Sequence, residues 1–318
     1  MIGDRDRVMG NTHAGRSSMV SGFLYALLAT FLWSIVPVGI KYLLGQSMNP
    51  FTIAFSRFVL ASSVLWLIAR VRGQLVPVTR ATFPLFLLGG LGMAGNYTLY
   101  AVGLRHTTAS ATNIIVQDEV IALVILSHFV LRERIGWAKV LGMLAAMAGI
   151  LVVFWNGQSL NALLNSKQLV GNVIIFFAGL SWPMYAIAQK FLSRRKVSNT
   201  SGLAYIFAVA AVIAAIPAAM GPNSQTKLSL PVFAWLLVVG VISTAMGYLC
   251  LARAFSRLPA STVAVITCML PIFTLLMAGV FLGEVLTPSI ALGALFVVAG
   301  IAVIGREEAM SRPTAGDG

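Results

Sequence analysis

Ten apolar stretches, each about long enough to cross a bilayer, run through this chain. A helix needs about 20 apolar residues to traverse roughly 30 Å of hydrocarbon. The stretches lie near 20–41, 50–70, 82–104, 108–130, 136–155, 168–191, 199–220, 231–253, 259–282 and 287–305, and are called spans 1 to 10. Turn signals divide them at Asn49-Pro50, Arg72-Gly73-Gln74, Asn156-Gly157-Gln158, Gly221-Pro222-Asn223 and Thr287-Pro288. Of the 318 residues, 58% are apolar and 10% charged, against roughly a quarter charged in an average soluble domain. Such a chain cannot coat a soluble surface, and it is too apolar to be disordered. Its two cysteines, Cys250 and Cys268, are too few for a disulfide scaffold. Backbone groups in lipid must be satisfied within the segment, so the spans are predicted as helices. The alternation of a β-barrel is absent. Span 1 is followed by nine more and has no clear cleavage site, so it reads as a retained helix rather than a signal peptide.

The net charge of +13 would suggest nucleic acid in a soluble protein. Here the charges sort by side. With a cytoplasmic N-terminus, 17 Lys and Arg fall in inside segments and 4 outside (Lys41, Arg105, Lys167 and Lys227), while Arg57 lies within a span. That bias predicts both termini inside and no nucleic-acid partner.

The chain is also written twice. At an offset of 149 residues, Trp33 falls on Trp182 and Lys41 on Lys190. At 151, Tyr97 meets Tyr248, Ala109-Ser110 meets Ala260-Ser261, Glu133 meets Glu284, Leu141-Gly142 meets Leu292-Gly293, and Ala148-Gly149-Ile150 meets Ala299-Gly300-Ile301. Fifteen identities fall in the 57 positions from 97 to 153. Shared composition explains Leu and Ala matches but not paired Trp, Lys, Glu and Gly. Each copy holds five spans, an odd number, so the second copy starts on the opposite side of the membrane and the repeats are predicted to be inverted. Such repeats mark secondary transporters, whose sites lie near the midplane between the copies. The predicted organisation is a cytoplasmic tail 1–19, a first repeat 20–155, an outside connection 156–167, a second repeat 168–305 and a cytoplasmic tail 306–318, with both tails solvated.

At this point the sequence resembles the drug/metabolite transporter superfamily, EamA-type. The resemblance rests on Phe31-Leu32-Trp33-Ser34 through Lys41, Pro50 to Arg57, Tyr100-Ala101-Val102-Gly103-Leu104 through Ala109-Ser110, Leu131-Arg132-Glu133-Arg134, and its copy Phe281-Leu282-Gly283-Glu284. It covers about residues 20–305. It implies a ten-helix, all-α bacterial inner-membrane exporter of small metabolites, often amino acids or xenobiotics, with a cavity formed mainly by spans 1, 3, 4, 6, 8 and 9. Members usually carry apolar residues and a proline midway along span 4, as the second copy does at Met269-Leu270-Pro271. This chain has Asp118-Glu119-Val120 there.

Charges at mid-span are costly and usually functional. On a regular helix, Ser110, Asn113, Gln117 and His128 form one polar stripe, with Asp118 at its flank and Glu119 nearly opposite. The stripe is expected to line the transport path. One acid is expected to bind a cation, either a proton or a substrate ammonium, because burial disfavours a carboxyl's charged form and makes a proton relay reasonable. The other is expected to pair with Arg57 or a polar neighbour; a structural Arg57 ion pair is the competing reading. Expected substrate contacts are Trp33, Asn96, Tyr97, Tyr100, Asn113, Gln117, Trp182, Tyr185, Gln189 and Tyr248, whose rings and amides suit an amphipathic or cationic solute. Tyr and Trp also form interfacial belts, which is the competing reading for each ring. Pro37, Pro183 and Pro271 are expected to kink spans 1, 6 and 9.

Small-residue pairs on span 5 (Gly142 with Ala146, Ala145 with Gly149) and Gly293 and Gly300 on span 10 are expected to mark close helix packing. Such surfaces can also support a homodimer, which stays open. Lys41 and Lys190 are expected to snorkel to headgroups of membrane lipid, with pairing to acids as gates the competing reading. Glu133 and Glu284 end spans 4 and 9, and Glu133, between Arg132 and Arg134, reads as a solvated ion pair. His128 reads as a solvated interfacial residue.

No P-loop, HExxH or G-x-S-x-G motif and no His/Cys cluster is present, so an ATP-driven pump, an enzyme and a metal or other cofactor are not expected. The function expected is secondary transport of a small organic solute, an amino acid or related amphipathic or cationic molecule, by alternating access. The resemblance implies efflux, the two acids leave import of a cationic solute open, and a proton gradient is one source of energy. A channel or a non-transporting scaffold is the alternative, with a membrane-embedded enzyme far behind.

Overall fold

The computed structural model describes residues 3–131, 135–164, 166–220, 227–258, 263, 266–267 and 269–310. Among them there is no strand. The helices are α1 (Gly3–Ser34), α2 (Val36–Gly45), α3 (Pro50–Val71), α4 (Phe83–Leu104), α5 (Ala109–Ile115), α6 (Asp118–Leu131), α7 (Trp137–Trp155), α8 (Leu160–Leu164), α9 (Lys167–Arg194), α10 (Asn199–Met220), α11 (Leu230–Leu237), a π-helical stretch Val238–Met246, α12 (Gly247–Phe255), α13 (Leu270–Leu282) and α14 (Pro288–Met310). Eight helical segments are long and apolar enough to cross a membrane, the last being Leu230–Phe255; Leu270–Leu282 and Pro288–Ile304 are shorter apolar helices. Much of the first half of span 9 lies outside the described residues, as do Glu133, Ala260-Ser261 and Cys268. Helical geometry starts at Gly3, within the segment expected as a tail.

Local chemistry accounts for the boundaries. Asn49 caps α3, its side chain accepting from the Phe51 N–H at 3.0 Å, with Pro50 in the first turn where no donor is needed. Ser166 caps α9 through the Leu169 N–H at 3.1 Å. Pro37 and Pro271 open α2 and α13. The hydrogen-bond ladder of span 1 is interrupted at Ile35, whose backbone stays right-handed helical, so Pro37 marks a local break within the single segment Met19–Gly45. Pro183, by contrast, sits inside an unbroken α9.

The packing is symmetric between the two halves of the chain. α3 lies on α10, α7 on α14, α4 on α9, and α1 on α12. Exchanging the halves turns each of these pairs into itself or into another of the set. The α7–α14 contact shows the cause. A Cβ on Gly142 would meet the Gly300 carbonyl oxygen at 2.6 Å, and one on Gly149 would meet that of Gly293 at the same distance. Glycine alone admits this backbone contact, and it occurs at both duplicated positions. This small-residue surface is therefore occupied within the chain. Large apolar side chains point outward around the bundle, among them Trp137 at 84% exposure and Phe129 at 74%, as lipid-facing positions do.

Candidate substrate cavity

Four residues that the repeat duplicates converge at the centre. Tyr97 on α4 donates its hydroxyl to that of Tyr248 on α12 at 3.3 Å. Trp182 on α9 donates Nε1 to the same Tyr248 oxygen at 3.2 Å. The Trp33 ring on α1 stands edge-on to Tyr248, 5.1 Å between centroids. Phe58, Phe207 and Tyr185 pack edge-on or tilted around this group. Edge-to-face packing suits rings whose faces are negative and edges positive.

Beside the rings lies Arg57 of α3, 4% exposed. Its guanidinium carbon stands 3.9 Å over the centre of the Tyr97 ring, and its Nε donates to Thr244 Oγ1 at 2.6 Å. Thr244 is presented by the π-helical stretch, where its hydroxyl also donates to the Val239 carbonyl at 2.7 Å. Nothing in the apolar sequence around Thr244 signals that wider turn. π-turns concentrate at functional sites.

Span 4 does not run straight. α5 ends at Ile115 and α6 starts at Asp118. The turn between them is held by Gln117 N–H to Ile114, Glu119 N–H to Val116 and Val120 N–H to Gln117, all reaching back three residues. A tighter turn rotates everything after it relative to a continuous helix. Glu119 therefore faces the cavity, on the side that a regular wheel assigns away from the stripe. Asp118 is 1% exposed and packs against α9 at Gly179, where a glycine Cβ would overlap its carboxylate. Among the described residues no side chain is placed to donate a hydrogen bond to either Asp118 oxygen. Among the described residues, neither acid forms an ion pair with Arg57.

These groups enclose a cavity of about 90 Å³. Its polar lining is Arg57, Asn96, Asn113 and Glu119; its rings are Trp33, Tyr97, Tyr100, Trp182 and Tyr248; Val36, Val116 and Leu270 complete it. The lining thus comes from spans 1, 2, 3, 4, 6, 8 and 9. Asn113 is held from both sides, accepting from Tyr100 at 2.8 Å and donating to Thr274 at 2.5 Å. Asn96 donates to the Ala178 carbonyl at 2.8 Å, tying α4 to α9.

Three expected contacts stand elsewhere. Tyr185 packs behind Trp182 and Tyr248. Gln117 is buried in the turn of span 4. Gln189 donates to Asn199 at 3.1 Å, beside Gly202. His128 is exposed, edge-on to Phe129.

Glu284 was not expected to contact the other half. Gly283 ends α13 in the left-handed region, φ 63°, a conformation glycine adopts without strain. The carboxylate of Glu284 then accepts from Ala109 N–H at 2.8 Å, Ser110 N–H at 3.0 Å and Ser110 Oγ at 2.7 Å. It caps the first turn of span 4 from the opposite half of the chain. Lys41 lies within its electrostatic reach. Among the described residues no group of His, Cys, Asp or Glu could hold a metal ion.

An all-helical chain whose apolar segments cross a membrane, with charged and aromatic side chains gathered into a chamber between two similar halves, defines a membrane transporter built from a repeat. The chain belongs to the EamA-like transporter family, whose profile matches residues 20–155 and 169–306. It is 31% identical over 259 residues, 80% of this chain and 79% of the relative, to the uncharacterized inner membrane transporter YhbE of Escherichia coli K12. It is 26% identical over 258 residues to an uncharacterized transporter of Haemophilus influenzae, covering 80% of this chain and 82% of that one. A solved crystal structure matches 93% of the chain and 99% of its own with a TM-score of 0.65 at 16% identity, a likeness of fold.

Proposed function

We propose that the protein is a secondary carrier of a small organic solute, an amino acid or a related amphipathic or cationic molecule, working by alternating access. The supporting observation is the cavity itself, lined from both repeats, with Trp33, Trp182, Tyr97 and Tyr248 as duplicated elements of one wall. Two similar halves that share a site can exchange conformations and expose it to one side and then the other. The reading includes ten spanning helices in two inverted repeats, residence in an inner membrane, both termini cytoplasmic and export as the direction. The positive-inside count supports the placement of the termini, and the name of the relative supports the inner membrane; export is the direction that the family resemblance implies. Protons are the coupling ion, with Asp118 as the group that carries them; Glu119 and Arg57 are the charged groups that face the solute. The protein works embedded in membrane lipid, without a cofactor.

The test is counterflow in proteoliposomes with radiolabelled amino acids, polyamines and organic cations, with and without an imposed pH gradient. Saturable, gradient-sensitive exchange of one class is expected. Conductance without saturation, or no flux from a folded preparation, would overturn the carrier reading.

A further inference from the structure

The chamber contains two opposite charges that do not satisfy each other. Arg57 commits only Nε, to Thr244. Its face rests on Tyr97, so the free end of the guanidinium fork is left without a protein acceptor among the described residues. Glu119 lines the same cavity and has no hydrogen-bond donor or ion-pair partner among them. The buried Nε1 of Trp33, on the same wall, has no acceptor among the described residues either. A buried structural ion pair would bring the two charges into contact and satisfy both, because an unpaired buried charge is costly. Here a cavity of about 90 Å³ shares its lining with both groups.

That arrangement selects by charge pattern. A guanidinium held flat on a ring presents a planar, preoriented pair of donors, the geometry that a carboxylate matches with two parallel bonds. A carboxylate facing the same space accepts from an ammonium. A solute with only an ammonium leaves Arg57 unpaired and meets its repulsion. A solute with only a carboxylate does the same at Glu119. We propose that the cavity is a zwitterion site, in which Arg57 receives the carboxylate and Glu119 the ammonium of one small solute, with the aromatic wall against its apolar part. This deepens the carrier reading and rests on the same cavity.

Equilibrium binding tests it separately from transport. Trp33 and Trp182 line the cavity, so quenching of intrinsic fluorescence in the purified full-length protein reports occupancy. The probes are glycine and L-leucine, their decarboxylated forms methylamine and isopentylamine, and their deaminated forms acetate and 4-methylpentanoate. At least one zwitterion is expected to bind saturably, about tenfold or more tighter than either of its singly charged analogues, as loss of a charged hydrogen-bonded contact implies. In Glu119→Gln the zwitterion weakens about tenfold while the carboxylate analogue binds as well as or better than in the parent. Arg57→Gln gives the mirror result, favouring the amine. Equal binding of an amine or acid and its zwitterion, no saturable binding of either zwitterion, or variants that shift all probes by one factor would overturn the proposal. The comparison within the parent protein decides even if a variant does not fold. Zwitterion binding without counterflow would leave the site assigned and the carrier reading wrong.

Discussion

Tyr97 and Tyr248 occupy the same position in the two copies of the repeat, and their hydroxyls meet at 3.3 Å. Equivalent residues meet where the relation between the copies has its axis, so this contact marks the centre of the internal symmetry. Trp182 shares the Tyr248 oxygen at 3.2 Å, and its counterpart Trp33 touches the same ring.

Removing the Tyr248 hydroxyl takes one acceptor from two donors, the buried Tyr97 hydroxyl and the half-buried Trp182 indole. Tyr248→Phe is expected to destabilise the protein by about 1–3 kcal/mol. Thermal unfolding in detergent, followed by circular dichroism, measures it. An unchanged midpoint would show that water replaces the bonds.

Gly149 and Gly293 let α7 and α14 touch through their backbones. Gly149→Val is expected to push the helices apart and cost about 1–3 kcal/mol or more, as overpacking does in a filled interface. The same change at Gly45, where a Cβ meets nothing within 4 Å, tests no such contact and is expected to cost less. Equal losses at both sites would refute the packing account.

Asp118 occupies the space that a side chain on Gly179 would fill. Gly179→Ala is expected to lose about 1–3 kcal/mol in unfolding experiments, and Asp118→Ala in the same chain is expected to restore part of it. A double-mutant cycle gives the coupling. Additive single effects would mean that the two positions do not touch. Asp118→Asn keeps the shape of the group, and under the proposed coupling it loses gradient-driven transport while retaining counterflow.

Glu284 caps span 4 with both carboxylate oxygens. Glu284→Ala leaves the Ala109 and Ser110 N–H groups without that partner and is expected to cost about 1–2 kcal/mol, with Glu284→Gln intermediate. Hydrogen exchange at those two amides is the direct readout. Protection unchanged in the alanine variant would contradict the cap.

The apolar lengths, the two copies and the paired Trp, Tyr and Gly positions were all legible in the sequence, and with them the family. These features follow from local rules: lipid demands helices of a set length, and duplication repeats identities at a set offset. Several cavity residues, including Trp33, Tyr97, Tyr100, Asn113, Trp182 and Tyr248, could be named from them. The side on which Asp118 and Glu119 fall could not, because a wheel assumes an unbroken helix and the turn at Val116–Gln117 resets its phase. Neither could the Glu284 cap or the Thr244 contact to Arg57, which join residues 175 and 187 apart in the chain. Periodicity reports which face of one helix is polar. Which charges share a chamber depends on where separate helices break and how closely their glycines let them approach, and that is settled only when the two copies pack together.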